Sequence, residues 1–178
     1  EYFDEWEKEE LFIEDLMRML DNTLTKFIKG APLTMKKAII SAESERSVGL
    51  GAMGFHSYLQ RNGMALNSPM AMGPNVKIFK HIKKKCDAAN LLLGKERGEA
   101  PDIKGTGKRF AHMTAIAPNA SSSIICGNTS PSIEPLRANA FSQKTLSGSF
   151  LIKNKYLKEL LEKKGKNTKD VWKTIITN

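Results

Sequence analysis

HMTAIAPNASSSII, residues 112–125, is the stretch on which the fold turns. His112 to Ala117 is short, partly alternating and closed by Pro118, the pattern of a β-strand. Asn119, Ala120, Ser121, Ser122 and Ser123 then give a run of small and polar residues, and Ile124 and Ile125 restore apolar character. Small residues leave backbone N–H groups accessible, hydroxyls add donors, and a helix beginning here would turn its partial positive end toward an anion. That is the outline of a phosphate cradle at residues 117–125. Ser and Asn are also ordinary N-caps, so a capped helix start with no ligand fits the same composition.

Working outward, the periodicity predicts helices. Trp6, Ile13, Leu16, Met17, Leu20, Leu24, Phe27 and Ile28 recur at three- and four-residue steps, which predicts a helix over roughly 5–29, stopped by Gly30, Ala31 and Pro32. A short helix should follow Gly54 with Phe55, Tyr58 and Leu59 inward, ending at Asn62-Gly63. From Pro74 to Leu93 a stripe of Phe79, Ile82, Cys86, Ala89 and Leu93 opposes lysines, the clearest helix in the chain. Gly94 to Lys108 reads as an exposed connection. Ala140 to Ile152 suggests an irregular strand or hairpin. Lys155–Lys164 and Lys169–Ile176 close as helices, the last begun by Thr168 with Asp170. The class is helix-rich α/β.

Two motifs look like nucleotide sites. Gly49-Leu-Gly-Ala-Met-Gly54 matches GxGxxG, but Ser44-Glu-Arg-Ser47 precedes it and the next acid after Glu45 is Asp87, so the ribose-binding acid is missing. Close glycine packing ahead of a helix is the better reading. Gly105-Thr-Gly-Lys-Arg109 ends like a P-loop, yet Asp102 stands where the opening glycine belongs and Arg109 replaces the Mg²⁺-binding hydroxyl. A flexible basic turn fits instead.

With 178 residues, 40% apolar and 26% charged, the chain is one domain or part of one, of ordinary globular composition. The formal charge of +9 hides an asymmetry: residues 1–21 hold nine acids and two bases, leaving the remainder strongly basic. The runs Lys83-Lys84-Lys85 and Lys163-Lys164 with Lys166 raise a nucleic-acid alternative, but no aromatics interleave with them to stack bases. Cys86 and Cys126 are too few for a disulfide framework or a zinc site, and His56, His81 and His112 have no ligand partners at metal spacing, so no metal site is expected. Cys86 belongs to the apolar stripe; Cys126, in a polar loop, is the thiol open to activation. No apolar run reaches the roughly 20 residues of a membrane span, and the acidic opening is the reverse of a signal peptide. A reducing cytoplasm is expected. The absence of an initial Met and of a polar tail reads like a piece of something longer.

The serine-rich stretch, continued by Asn128-Thr-Ser-Pro-Ser-Ile-Glu-Pro135, resembles the large (alpha) subunit of class I ribonucleotide reductases. Arg137-Ala-Asn-Ala-Phe141 and Gln143-Lys-Thr-Leu-Ser-Gly-Ser149 are similar to the family's next segment, and Arg46 to His56 to its strand-to-helix lead. The resemblance covers nearly the whole chain in the family's order. It implies a partial segment of a ten-stranded α/β barrel, with an N-terminal helical portion at 1–45 and a barrel portion at 46–178. It implies that Asn119, Ala120, Ser121, Ser122 and Ser123 hold the substrate's phosphates and that Pro118 shapes the loop. Some relatives carry an acid and a Thr among these positions.

The resemblance further implies reduction of a ribonucleotide at its 2′ carbon, for deoxyribonucleotide synthesis, by a radical route. In the family this needs a thiyl-forming Cys, a reducing Cys pair, and an Asn and Glu beside the sugar. These lie before the matched segment, as do the regulatory nucleotide sites, and the radical-relaying tyrosines lie after it. Neither Cys86 nor Cys126 matches a family cysteine, so no catalytic residue is expected in this chain and the chain alone should be inactive. The implied partners are alpha-subunit segments with the cysteines, a metal-containing radical-generating small (beta) subunit, a thioredoxin- or glutaredoxin-type reductant, and a ribonucleotide whose phosphate number and base stay open. A basic nucleic-acid-binding module and a purely structural partner segment are the alternatives.

Overall fold

The structure, a computed structural model, describes residues 1–177. In chain order the elements are α1 (Phe3–Trp6), α2 (Phe12–Gly30), α3 (Lys36–Glu45), α4 (Phe55–Arg61), α5 (Met72–Arg97), α6 (Ala120–Ile125), β1 (Ala140–Thr145), β2 (Gly148–Lys153), α7 (Lys155–Lys163) and α8 (Lys169–Thr177). They fall into two compact units. The first holds residues 2–52 and 67–119; the second holds Glu1, 53–66 and 120–177.

The first unit is built on α2 and α5. Ile13 and Met17 of α2 meet Cys86, Ala89 and Leu93 of α5 around Phe110, with Trp6, Leu16, Leu20, Val48, Leu50, Ile82 and Met113 packed against them. The helix expected over 5–29 is two helices. A turn at 7–11 separates them, held by Glu9 N–H to the Trp6 carbonyl (3.1 Å) and Phe12 N–H to the Glu9 carbonyl (3.3 Å). Glu9 and Glu10 thereby precede α2, and Glu14 and Asp15 fill its first turn, where acids favour the positive helix end. Trp6 still reaches the core, but from α1. At the other end Ala31 is extended (ψ 142°), as a residue before proline prefers, so Pro32 sets the stop. Helix α3 carries no buried residue, which leaves it no periodic stripe to be read from sequence.

Helix α5 runs one turn past the expected limit, so the exposed connection expected at 94–108 begins only after Arg97; most of it is exposed, but it is anchored rather than loose. Gly94 is buried inside the helix, and a Cβ there would stand 2.0 Å from the Gly107 carbonyl oxygen. The loop folds back onto it. Ala100 and Phe110 are buried, and the Asn90 carboxamide exchanges two hydrogen bonds with the Phe110 backbone (2.8 and 3.1 Å).

Phe110 leads into the central strand pairing. Val48 donates to the His112 carbonyl (2.9 Å), Leu50 to Met113 (2.8 Å), and Ala115 back to Leu50 (3.2 Å), a parallel register with Leu50 opposite Thr114. In place of the strand expected at 112–117 there is a single isolated bridge to Leu50, with flanking backbone hydrogen bonds but no extended ladder. Gly49 and Gly51 permit the approach: Cβ atoms there would lie 2.9 Å from Ala115 Cβ and 2.7 Å from the Ala115 carbonyl oxygen.

A buried carboxylate fastens these segments together. Asp21 is 1% exposed and receives Arg46 (Nη2, 2.6 Å), Arg97 (Nη1, 2.7 Å) and Arg109 (Nε, 3.0 Å). Burial pushes its carboxyl pKa up, but the three guanidinium hydrogen bonds outweigh that and hold it below the ordinary value. Arg46, which caps α3 in the left-handed region (φ 47°), also reaches Thr25 Oγ1 at 2.7 Å.

In the second unit, α4 follows Gly54 as expected and buries Ser57, Tyr58 and Leu59, while Phe55 is half-buried. Ser57 and Ser130 brace it reciprocally: each backbone N–H donates to the other's hydroxyl, at 3.0 and 2.8 Å. The expected hairpin is β1 and β2, antiparallel from Ala140 opposite Lys153 to Thr145 opposite Gly148. Asn154 caps α7 by accepting from Tyr156 N–H (3.0 Å) and Leu157 N–H (3.3 Å), and its Nδ2 donates to Gln60 and Asn139. Trp172 of α8 is buried, with Nε1 donating to Asn167 Oδ1 at 2.7 Å.

Asp21→Asn should cost about 3–5 kcal/mol in urea unfolding near neutral pH, because three guanidinium groups lose their shared counter-charge. Since the folded pKa of Asp21 lies below its unfolded value, its contribution is full above the ordinary aspartate range and is lost as pH falls through the folded pKa. The gap between wild type and variant should therefore narrow on acidification below pH about 4. Gly94→Ala should destabilise by about 1–3 kcal/mol, measured the same way, because the backbone it would strike cannot rotate aside.

Candidate functional site

The loop expected to hold phosphate follows the parallel strand pair in sequence. Asn119 adopts φ 52°, a left-handed conformation that Asn tolerates better than most residues. The six residues of α6 begin immediately after it. By helix geometry the N–H groups of its first turn have no intrahelical acceptor. Ser121 and Ser122 are exposed. Ser123 is not: it is 5% exposed, and its hydroxyl donates to the Ala120 carbonyl at 2.8 Å. The three serines are therefore unequal, with two hydroxyls presented and one turned into the helix's own backbone. Cys126 donates its N–H to Ser122 (2.9 Å), and Gly127 (φ 82°) and Asn128 (φ 58°) end the helix.

The return stretch is braced on α4. Gly54 N–H donates to the Ser130 carbonyl (2.8 Å) and Phe55 N–H to the Ser132 carbonyl (3.4 Å). Gly54 itself has φ 82° and caps α4. Asn128 Oδ1 and Ser132 Oγ are buried without a hydrogen-bond partner among the described residues, and Ser132 holds φ 45°. Sequence reading missed the Ser57–Ser130 brace and the Asn154 junction. A reciprocal pair 73 residues apart leaves no local signature.

The other motifs resolve by packing. No strand precedes Gly49-Leu-Gly-Ala-Met-Gly54: the one parallel bridge falls inside the motif, at Leu50 opposite Thr114, and Gly49 and Gly51 are occupied by close contacts with Ala115. The P-loop look-alike is filled by the protein itself: Glu99 accepts from the backbone N–H groups of Gly107 (2.7 Å) and Gly105, so an acid occupies the position an anion would take. The turn is anchored rather than flexible. Cys86 is fully buried, and burial, with Asp87 nearby, pushes its thiol up to about 11. Cys126 is exposed and free. His56 accepts from Leu136 N–H (3.3 Å), His81 makes edge-on ring contacts with Phe3 and Trp6, and His112 Nδ1 lies 3.1 Å from Ser47 Oγ. Among the described residues no three of His, Cys, Asp and Glu come together to hold a metal ion, and no helix is long and apolar enough to cross a membrane.

In chain order, an isolated parallel bridge is followed by a small-residue loop and a short helix. The chain belongs to the ribonucleotide reductase barrel-domain family, which matches it over residues 3–102 and 100–178. It is 51% identical over its full length to the ribonucleoside-diphosphate reductase large subunit of Invertebrate iridescent virus 6, and 57% identical over 92% of its length to that of Invertebrate iridescent virus 3. Among solved structures, an Actinobacillus ureae class Id ribonucleotide reductase alpha subunit superposes with a TM-score of 0.88 and 38% identity, covering 99% of this chain. The chain spans 19% and 26% of the two viral proteins and 32% of the solved chain.

Glu99→Ala should free the two amides it holds without touching the core. Hydrogen exchange at Gly105 and Gly107 should then accelerate by about tenfold, while Phe110 stays protected.

Proposed function

We propose that this chain serves as a barrel segment of a ribonucleoside-diphosphate reductase large subunit, contributing the part of the pocket that holds the substrate's phosphates. The observation that carries the reading is the exposed pair Ser121 and Ser122 in the first turn of α6, behind the left-handed Asn119, within a chain of this family. In this role the backbone N–H groups of Ala120, Ser121 and Ser122 and the two presented hydroxyls donate to phosphate oxygens. Pro118 and Asn119 set the angle at which the helix meets them. Ser123 supports the turn through its bond to Ala120 and keeps the helix start rigid.

Binding of this kind fixes one end of the nucleotide and so fixes where its sugar lies, which is how a remote phosphate contributes to rate. The proton and radical steps at the sugar fall to the family's cysteines, Asn and Glu on other polypeptide. The division into a helical portion at 1–45 and a barrel portion at 46–178 belongs to the same proposal, supported by the parallel pairing that begins at Val48. So do a radical-generating metal-containing beta subunit, a thioredoxin- or glutaredoxin-type reductant and a cytoplasmic location. On this reading the radical-generating metal belongs to the small subunit.

The experiment is reconstitution with the cysteine-bearing alpha segments and the small subunit, followed by an assay of deoxyribonucleotide formation. The double variant Ser121→Ala, Ser122→Ala should raise KM about tenfold with a smaller change in kcat, because charge-assisted hydrogen bonds to phosphate are lost while the backbone donors remain. Ser123→Ala should act on stability before KM. An unchanged KM in the double variant would remove the two hydroxyls from the site.

A further inference from the structure

The Asp21 cluster carries more positive charge than its structural task requires. Three guanidinium groups from three segments converge on one carboxylate, leaving an excess of two positive charges in a largely buried setting. Like charges gathered out of water repel strongly, and such an excess is retained at a cost unless something offsets it. Burial first, then the neighbouring charges of Arg46 and Arg97, act to lower the Arg109 pKa, and they prevail over its bond to Asp21. Nearby acids supply only part of the balance: Glu96 feels the Arg97 charge but shares Arg18 with Glu14. Glu96 is engaged by Arg18 (2.6 and 2.9 Å), Glu99 by the amides of Gly105 and Gly107, and Glu45 accepts from Ser47 Oγ.

The cluster is unevenly exposed. The Arg97 side chain is 30% exposed and that of Arg109 12%, against 8% for Arg46. Arg97 uses only Nη1, toward Asp21 and Asn22 Oδ1; Arg109 uses Nε toward Asp21 and Nη1 toward the carbonyls of Arg97 and Gly98. Arg97 Nε and Nη2 and Arg109 Nη2 donate to no other group among the described residues. Asp21 holds both guanidinium groups in place, so their free N–H edges are fixed before any ligand arrives.

We propose that Arg97 and Arg109, positioned by Asp21, form an anion-binding site for a phosphate-class dianion, free or carried on a small molecule. The doubled charge favours a dianion over a single carboxylate, and a planar fork of N–H donors fits tetrahedral oxyanions in a bidentate manner. This site lies wholly in the first unit and does not depend on the reading of α6.

The test is thermal unfolding of the whole chain with inorganic phosphate titrated against chloride at constant ionic strength. Wild type should show a saturable rise in Tm with phosphate. Arg97→Gln, which removes the most exposed guanidinium and leaves Arg46 and Arg109 on Asp21, should weaken apparent phosphate affinity about tenfold. The Ser121→Ala, Ser122→Ala variant should keep the Arg97-dependent part of the response. Repeating the titration with a nucleoside diphosphate separates the sources, the Arg97-dependent part of each response showing which ligand the site takes. No phosphate effect beyond that of chloride, or a response untouched by Arg97→Gln, would overturn the proposal. A response lost only in the serine variant would assign the phosphate to α6 and overturn it equally.

Discussion

One buried carboxylate conditions the architecture of the first unit. Asp21 sits mid-helix on α2, and each guanidinium it receives belongs to a different turning point of the chain. Arg46 caps α3 two residues before Val48, where the backbone pairing starts, Arg97 ends α5, and Arg109 precedes the paired stretch at 111–115. The beginnings of both paired stretches are thus referred to one side chain. A carboxylate taken from water must be matched by well-placed donors, and three guanidinium groups meet that demand with little positional freedom. Loss of that match would leave the starts of the paired stretches held by their backbone hydrogen bonds and by apolar contacts.

From those starts, backbone packing does the rest. Gly49 and Gly51 let one strand lie against Ala115 more closely than any side chain permits. Beyond the strands the chain enters two helices through left-handed residues, Gly54 ahead of α4 and Asn119 ahead of α6. In parallel α/β architecture, helix starts that follow strand ends are where ligands are held, since unpaired N–H groups and small residues gather there. The proposed phosphate role of α6 draws on this general geometry as much as on its serines. The Arg97 and Arg109 edge is a separate kind of anion site, made from side chains and set by charge imbalance.

Much of this was legible in the residues. The α5 stripe, the lead from Gly54 into α4, the hairpin at 140–153 and the closing helices each leave a local signal: a 3.6-residue period, a turn dipeptide, a run of β-formers. The break between α1 and α2 left none, because Trp6 keeps the apolar period of α2 while belonging to a different helix. Helix α3 has no buried face to read. Gly94 looked like a helix stop because a glycine's usual role is local, whereas here it serves a contact with Gly107 thirteen residues away. At the loop, composition indicated a helix start with accessible donors but could not rank the three serines. That ranking depends on which hydroxyl turns back to the Ala120 carbonyl.

The sequence by itself determined the family, the helical content and the placement of the small-residue loop after a strand, because these rest on residue order and local preference. Tertiary structure alone decided the convergence of Arg46, Arg97 and Arg109 on Asp21, the use of Glu99 to fill its own glycine turn, and the Ser57–Ser130 brace. Charge pairing and close backbone approach act through space, between residues whose separation along the chain carries no information about their distance.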